Sequence, residues 1–333
     1  MRLPRWKKEQ KKRKERKRLF VIRCILLVIS IILLIGIGRQ VYRSLRKSLW
    51  DGENRINFVL VSQPILVVSL APSEKIINIF SIPDQALIEV IHGYGYYRVK
   101  SIFALGEIEG RGGELLVGSL REYLGVLIDA YALNHELRIT NYESRIKKFL
   151  KECIISLLKG EGETNLTKWD LARLWWQINK VRPNKITLVD LGQTSASREV
   201  VLPDGTKAIE INSERIDRLV NQLFKDEKIV QEDLAIAVLN GTTHFGLARK
   251  AARLITNIGG QVVEVGNIEN LKSQILNLKC EIRSPKRLKN AYTIQKLMRA
   301  FDCRWGGEDL ADHRAEAILI LGEDYWSRLN ERR

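Results

Sequence analysis

Gly241 and Gly246, in the stretch VLNGTTHFGLARKAARLITNIGGQVVEVGN (238–267), have the spacing of the first two glycines in GxxxxGK(S/T). In that motif a loop on a helix N-terminus surrounds an anion with backbone N–H groups. The rest of the chemistry is missing. A nucleotide loop needs a lysine for the phosphates and a Ser or Thr for magnesium, and Leu247 and Ala248 stand there instead. Thr243 fills the place of the second glycine of GxGxxG, and Glu264, near the ribose-binding distance, does not restore a dinucleotide site alone. The structural alternative is a tight turn at Asn240-Gly241, close helix packing at Gly246, and an amphipathic helix ended by Gly259-Gly260.

Other reactive residue types are scattered. His92, His135, His244 and His313 offer neither a Ser-His-Asp set nor a pair at ligand spacing, so no metal and no cofactor is expected. Cys24 lies in an apolar run; Cys153, Cys280 and Cys303 are widely spaced, and their odd number argues against a disulfide framework. Trp169, Trp175 and Trp176 could stack on sugars, but on an amphipathic helix they are expected in the core.

The net charge of +16 suggests a nucleic-acid partner until its location is considered. Residues 1–18 form a basic tail with 11 Lys and Arg against two Glu. From residue 51 onward the chain holds 39 basic and 37 acidic residues, a net +2. Between tail and body, 19–38 (LFVIRCILLVISIILLIGIG) is 20 residues long with one charge, Arg23. A helix of that length spans about 30 Å, the thickness of a bilayer core. The expectation is an uncleaved signal anchor with its N-terminus cytoplasmic, because 11 positive charges precede the span and four follow it closely. The tail is then explained by topology and anionic headgroups, and no nucleic acid is expected as a partner.

Residues 39–54 read as a polar juxtamembrane neck. The next domain, 55–224, opens with β-branched runs (INFVLVSQPILVVSL, KIINIFSIP) and continues with helical periodicity over 118–127, 144–158 and 168–178, the last capped by Thr167 or Asn165. REVVLPDGTKAIEI signals a hairpin. The charged stretch 225–232 reads as a linker. Beyond it, 233–326 reads as strand (234–239), helix (246–257), strand (261–265), strand (273–280), helix (288–301) and strand (317–321), for which the expectation is a βαββαβ, ferredoxin-like α/β domain.

Two resemblances follow from these segments. The ordered set of Leu-Asn-Gly, Gly-Leu-Ala, the glycine pair and LGEDYW, with Asn240, Gly241, Gly246, Gly259, Gly260, Gly322, Asp324 and Tyr325, resembles the C-terminal domain of LytR-type proteins, an extracytoplasmic accessory module. INFVLV, ILVVSLAPSEKIINIFSIP, KSIFALGEIEGRGG and LLVGSLREYLGVLIDAYALN resemble, in order, the opening pieces of a LytR-CpsA-Psr domain. That family moves glycopolymers from undecaprenyl carriers to peptidoglycan, which implies an α/β fold, a polyprenyl lipid or wall glycopolymer as ligand, and magnesium if transfer occurs. This chain departs from it. Gln63-Pro64 stands where the family has an Asp, and SIPDQ lacks the arginine of Ser-Ile-Pro-Arg-Asp, leaving open whether Asp84 matches the family Asp. Most of the later Arg cluster is deleted between His135 and Ser144, with Arg145 as a remnant; Arg98 and Arg111 remain near the implied site. The expectation is a reduced, inactive domain serving as an envelope binding or scaffold module; the alternatives are an active phosphotransferase and, on charge alone, a nucleic-acid-binding regulator.

Overall fold

The computed structural model describes residues 47–133, 142–268, 278–310 and 314–331, with scattered positions from 23 to 39. Residues 1–48 and 49–333 form two units. The expected span at 19–38 lies largely outside the described residues; among those described, no helix is long and apolar enough to cross a membrane.

The larger unit begins with a meander of β1 (Ile56–Val61), β2 (Ile65–Ala71) and β3 (Ile76–Ile82), antiparallel throughout. A small ribbon, β4 (Leu87–Val90) and β5 (Gly95–Arg98), leads into α1 (Val99–Ile108) and α2 (Gly113–Leu124). Then come β6 (Ala130–Leu133), α3 (Tyr142–Lys159), β7 (Glu163–Thr164), α4 (Lys168–Lys180) and β8 (Ile186–Asp190). The main sheet has the order β7-β6-β1-β2-β3-β8, with β6 parallel to β1 and β8 parallel to β3. The first strands read as unbroken apolar runs because both faces of the sheet are covered, and every residue of β2 is buried. One face packs on α1, α2 and a later helix; the other packs on α3 and α4.

The hairpin forms as β9 (Ser197–Val201) and β10 (Lys207–Ile211), followed by α5 (Ser213–Leu223), which buries Ile216 and Val220 under the first face. Thr167 rather than Asn165 caps α4: it accepts from the Asp170 N–H at 3.1 Å, and the Asp170 carboxylate accepts in return from the Thr167 N–H at 3.0 Å. Asn165 instead accepts from the Tyr131 N–H at 2.9 Å. The neck also ends sooner than expected. Trp50 is buried in the second core, and its indole N–H donates to Asn54 O at 2.7 Å. Of the three tryptophans on α4, only Trp175 packs on the core, while Trp169 and Trp176 are exposed.

The stretch expected as a charged linker is helical, α6 (Glu227–Glu232). Then follow β11 (Ala235–Asn240), α7 (Leu247–Asn257), β12 (Gln261–Asn267), β13 (Glu281–Arg283), α8 (Tyr292–Phe301), β14 (Arg304–Gly307), β15 (Ala317–Leu321) and α9 (Glu323–Asn330). The ferredoxin-like expectation is corrected by the sheet order β12-β11-β15-β13-β14. A split βαβ leaves a gap between its first two parallel strands, but β12 pairs directly with β11. The central place goes to β15, all five residues of which (AILIL) are buried, whereas β12 alternates between exposed and half-buried and suits an edge. The strand expected at 273–280 falls mostly outside the described residues, and β14 (RWGG) has no apolar alternation that would announce it.

The reading against disulfides is also corrected. Cys280 and Cys303 are bonded, with Cα atoms 4.7 Å apart, tying the start of β13 to the turn between α8 and β14. The odd count leaves Cys153 over; it is buried, and burial pushes its thiol up to about 12, so it is no nucleophile.

Candidate functional site

The four residues carried over as site candidates do not converge. Arg98, at the end of β5, donates to Thr206 Oγ1 at 2.7 Å and lines a cavity of about 740 Å³ with Gln85, Arg198, Glu199 and Lys207. Asp84 lies beside Gln85 after β3, and its Oδ1 is buried without a hydrogen-bond partner. Arg111, before α2, donates to His92 Nε2 at 2.9 Å and lines a different cavity. Arg145 is exposed on α3, which covers the opposite face of the sheet. Among the described residues no cluster of His, Cys, Asp and Glu could hold a metal ion.

The glycine-bearing turn of the second domain is structural. Asn240 Oδ1 accepts from the Thr242 N–H at 3.0 Å, its Nδ2 donates to His244 O at 2.8 Å, and the Gly241 N–H donates to Leu321 O at 2.9 Å. Gly246 differs from expectation: a side chain there would meet open space, so the glycine serves the backbone angle of φ +82° that starts α7, not close packing. Close approach belongs to Gly322, where a Cβ would lie 2.1 Å from Leu278 O. Gly259 takes φ +97° beyond α7, Asp324 Oδ1 accepts from the Cys280 N–H at 2.8 Å, and Tyr325 is buried. Sequence reasoning missed His244, whose ring stacks on Trp326 with centroids 3.5 Å apart and whose Nε2 is 2.7 Å from Glu323 Oε1. His244 lies some eighty positions before Glu323 and Trp326, and only the parallel pairing of β11 with β15 joins their loops.

The strongest gathering of charge lies where the layers of the six-stranded and five-stranded sheets meet. Arg253 on α7 binds Asp217 of α5 through Nε at 2.9 and 2.8 Å and donates through Nη1 to Glu122 O at 2.8 Å. Asn257 donates to Gly125 O at 3.0 Å. On α8, buried Lys296 donates to Arg55 O at 3.0 Å and pairs with Asp226 at 3.2 Å; the Tyr292 hydroxyl donates to Asp226 at 2.8 Å. Asp226 and Glu232, both in the stretch expected to be a linker, are thus part of the junction. Glu232 accepts from the N–H groups of Tyr292 and Thr293 at 2.8 and 2.7 Å, capping α8.

Two cavities open along this junction and share Arg121. One, about 290 Å³, is lined by Asp51, Arg55, Arg121, Asp129, Lys296 and Arg299. The other, about 460 Å³, is lined by His92, Arg111, Glu114, Arg121, Tyr131 and Arg328. Together they present six Arg and Lys against three acids. Burial raises the Asp129 carboxyl above the usual aspartate range, although Lys296 and the Asn57 N–H, 2.8 Å away, pull it down. Burial also pushes Asp51 up, but the N–H groups of Asn54 and Glu53 outweigh it and leave that carboxyl low. Arg55 and Lys296 are committed to internal bonds. Arg121 is engaged too: Nη1 donates to Ala300 O, Glu122 lies 3.9 Å from Nε and the guanidinium sits 5.0 Å from the Phe301 centroid, while Nε and Nη2 are buried without a hydrogen bond. A sheltered guanidinium that keeps N–H donors beyond its internal bonds is the chemistry that holds an oxyanion.

An α/β unit with two main sheets and a cation-lined junction between their layers is therefore the class that fold and site define. Residues 233–325 match the family model described as LytR cell envelope-related transcriptional attenuator, and this stretch is a LytR-type C-terminal domain. No curated protein matches the chain. Solved structures similar to it include that of B. subtilis TagT, at 16% identity and a TM-score of 0.39, covering 52% of this chain and 91% of that one. Another is the LytR-CPS2A-psr family protein YwtF (TagT) with bound octaprenyl pyrophosphate lipid, at 15% identity and 0.38, covering 52% and 90%. A third is B. subtilis TagV, at 13% and 0.38, covering 52% and 97%. Overlaps this loose carry no residue roles across.

Proposed function

We propose that the chain is a membrane-anchored, extracytoplasmic envelope protein that binds an anionic glycopolymer at the junction of its two domains and does not transfer it. The observation that carries this reading is the six-to-three excess of cations around the two junction cavities, which share Arg121. The LytR-type C-terminal domain supports an envelope role. The bonded Cys280 and Cys303 support a compartment in which thiols oxidise. The apolar stretch 19–38 behind a basic tail supports an anchor with the bulk of the chain outside.

Binding without transfer is supported by the dispersal of Asp84, Arg98, Arg111 and Arg145. Departure of a lipid pyrophosphate concentrates negative charge, and loss of one preorganised donor commonly costs about 100-fold to 1000-fold in rate. The test uses the full chain in nanodiscs. Poly(glycerol phosphate) is expected to bind saturably, more weakly as salt rises, and not at all to Arg121→Gln/Arg299→Gln. Binding unchanged in that double variant would remove the junction as the site. Release of lipid phosphate from a lipid-linked pyrophosphate oligosaccharide with magnesium and peptidoglycan, lost in Asp84→Ala, would establish the transferase instead.

A further inference from the structure

We infer that the outer face of α4 is a seat for the bilayer surface: Trp169, Arg173, Trp176 and Lys180, with Leu49 beside them, rest among the outer-leaflet headgroups. The inference depends on the anchored topology proposed above and adds to it a place on the folded unit where the membrane is met.

The face is built for an interface. Trp169 is 44% exposed and Trp176 59%, although the same helix buries Leu171, Leu174 and Ile178 on its inner side. Positions seven apart share one helix face. Each ring carries a cation: the Arg173 guanidinium lies 5.3 Å from the Trp169 centroid, and Lys180 Nζ lies 5.3 Å from that of Trp176. Amphipathic rings at headgroup level, with long basic stems reaching to phosphates, are the side chains a membrane–water boundary selects. Neither ring lines any of the three cavities described above, as a sugar-stacking platform would.

The first residues of the unit, 49–52, run along this same helix. The Leu49 N–H donates to Asp170 Oδ2 at 3.3 Å, Arg173 Nη1 donates to Trp50 O at 2.7 Å, and Gln177 Nε2 donates to Gly52 O at 2.8 Å. Residues 49–52 are thereby fastened along two turns of α4, and Leu49 is itself 40% exposed. Only residues 39–48 separate this attachment from the end of the apolar stretch, a reach of at most about 35 Å when fully extended. A tether that short raises the effective concentration of the surface, so a weak contact suffices to hold it.

Charge agrees. Residues 145–185, which include nearly all of α3 and the whole of α4, hold 10 Lys and Arg against four Asp and Glu, a net +6. Residues 51–333 as a whole are only +2, so the remainder of the unit is net acidic and this layer is the one suited to anionic lipid.

The test places the full chain in nanodiscs of phosphatidylglycerol and phosphatidylcholine brominated near the glycerol end of the acyl chains, and reads quenching of tryptophan emission. Wild type is expected to lose emission that Trp169→Phe/Trp176→Phe no longer loses, while Trp305→Phe/Trp326→Phe behaves as wild type. Lys168→Glu/Lys180→Glu is expected to reduce quenching in anionic discs. Equal quenching in wild type and Trp169→Phe/Trp176→Phe, in a chain that resists alkaline extraction, overturns the seat and leaves the anchor standing. Release of the chain by alkaline extraction overturns the anchor and the seat with it. Protection of the two rings by soluble muropeptide in bromine-free discs would make the face a sugar platform and likewise overturn the proposal. Thermal melts check that the variants remain folded, those at Trp305 and Trp326 included, which are half-buried.

Discussion

Asp129 is a carboxyl held in a place that disfavours its charge. Its folded pKa lies above the unfolded one, so its contribution to stability is present below the usual aspartate range and is lost as pH rises through the folded value. Asp129→Asn keeps an acceptor for the Asn57 N–H and is expected to be more stable than wild type at neutral pH. The two should converge as pH falls below the ordinary aspartate range, measured by urea midpoints across acid to neutral buffers. Asp226 matters through its partner. Its removal leaves the Lys296 ammonium, buried and 3.2 Å away, without a counter-charge. Breaking such a pair from one side costs about 3–5 kcal/mol. Denaturation of Asp226→Ala should read that loss; an unchanged midpoint would mean that Lys296 reaches water.

At the scale of elements, two fastenings can be tested separately. Thr167→Ala removes half of the reciprocal cap on α4 and should cost about 1 kcal/mol in a denaturant titration. The disulfide closes a loop of sequence separation 23 between β13 and the end of α8. Cross-linking a loop of that length constrains the unfolded chain by about 3 kcal/mol. Cys280→Ser/Cys303→Ser should lose a comparable amount, and a reductant should destabilise wild type but not this variant. Several of these elements were legible beforehand. The apolar runs of β1 to β3, the Pro-Asp-Gly hairpin, the periodicity of α3 and α4 and the Thr167 cap all state their structure locally. α1 was missed, since VKSIFALGEI follows a β-ribbon with no capping residue, and β14 because an edge strand of four residues needs no apolar stripe.

On the scale of the whole unit, the lock between the domains is the feature with the largest reach. Arg253 spends its guanidinium on Asp217 and on the carbonyls of Glu122 and Tyr123, so it bridges α7, α5 and the end of α2 at once. Hydrogen bonds to a charged group are worth about 1.5–3 kcal/mol, and Arg253→Ala should lose at least that much. It should also speed hydrogen exchange at residues 121–126 and weaken polymer binding, because the two walls of the Arg121 cavities belong to different domains. Unchanged exchange there would mean that apolar contact alone holds the junction.

The sequence by itself determined what is local or a matter of composition: the apolar stretch and its flanking charge, the α/β alternation, and the failure of Gly241 and Gly246 as a phosphate loop once Leu247 and Ala248 followed. Only the tertiary structure decided what depends on pairing across distance. It set β15 at the centre of the second sheet, joined Cys280 to Cys303, and sent Arg98, Arg111 and Arg145 to three separate places. It also brought Arg121 from α2 and Lys296 from α8, more than 170 residues apart, to one junction. The physical reason is that periodicity reports which face of an element is buried, through the hydrophobic effect, but not which partner buries it. A polar residue's role is fixed by the charges that the partner brings.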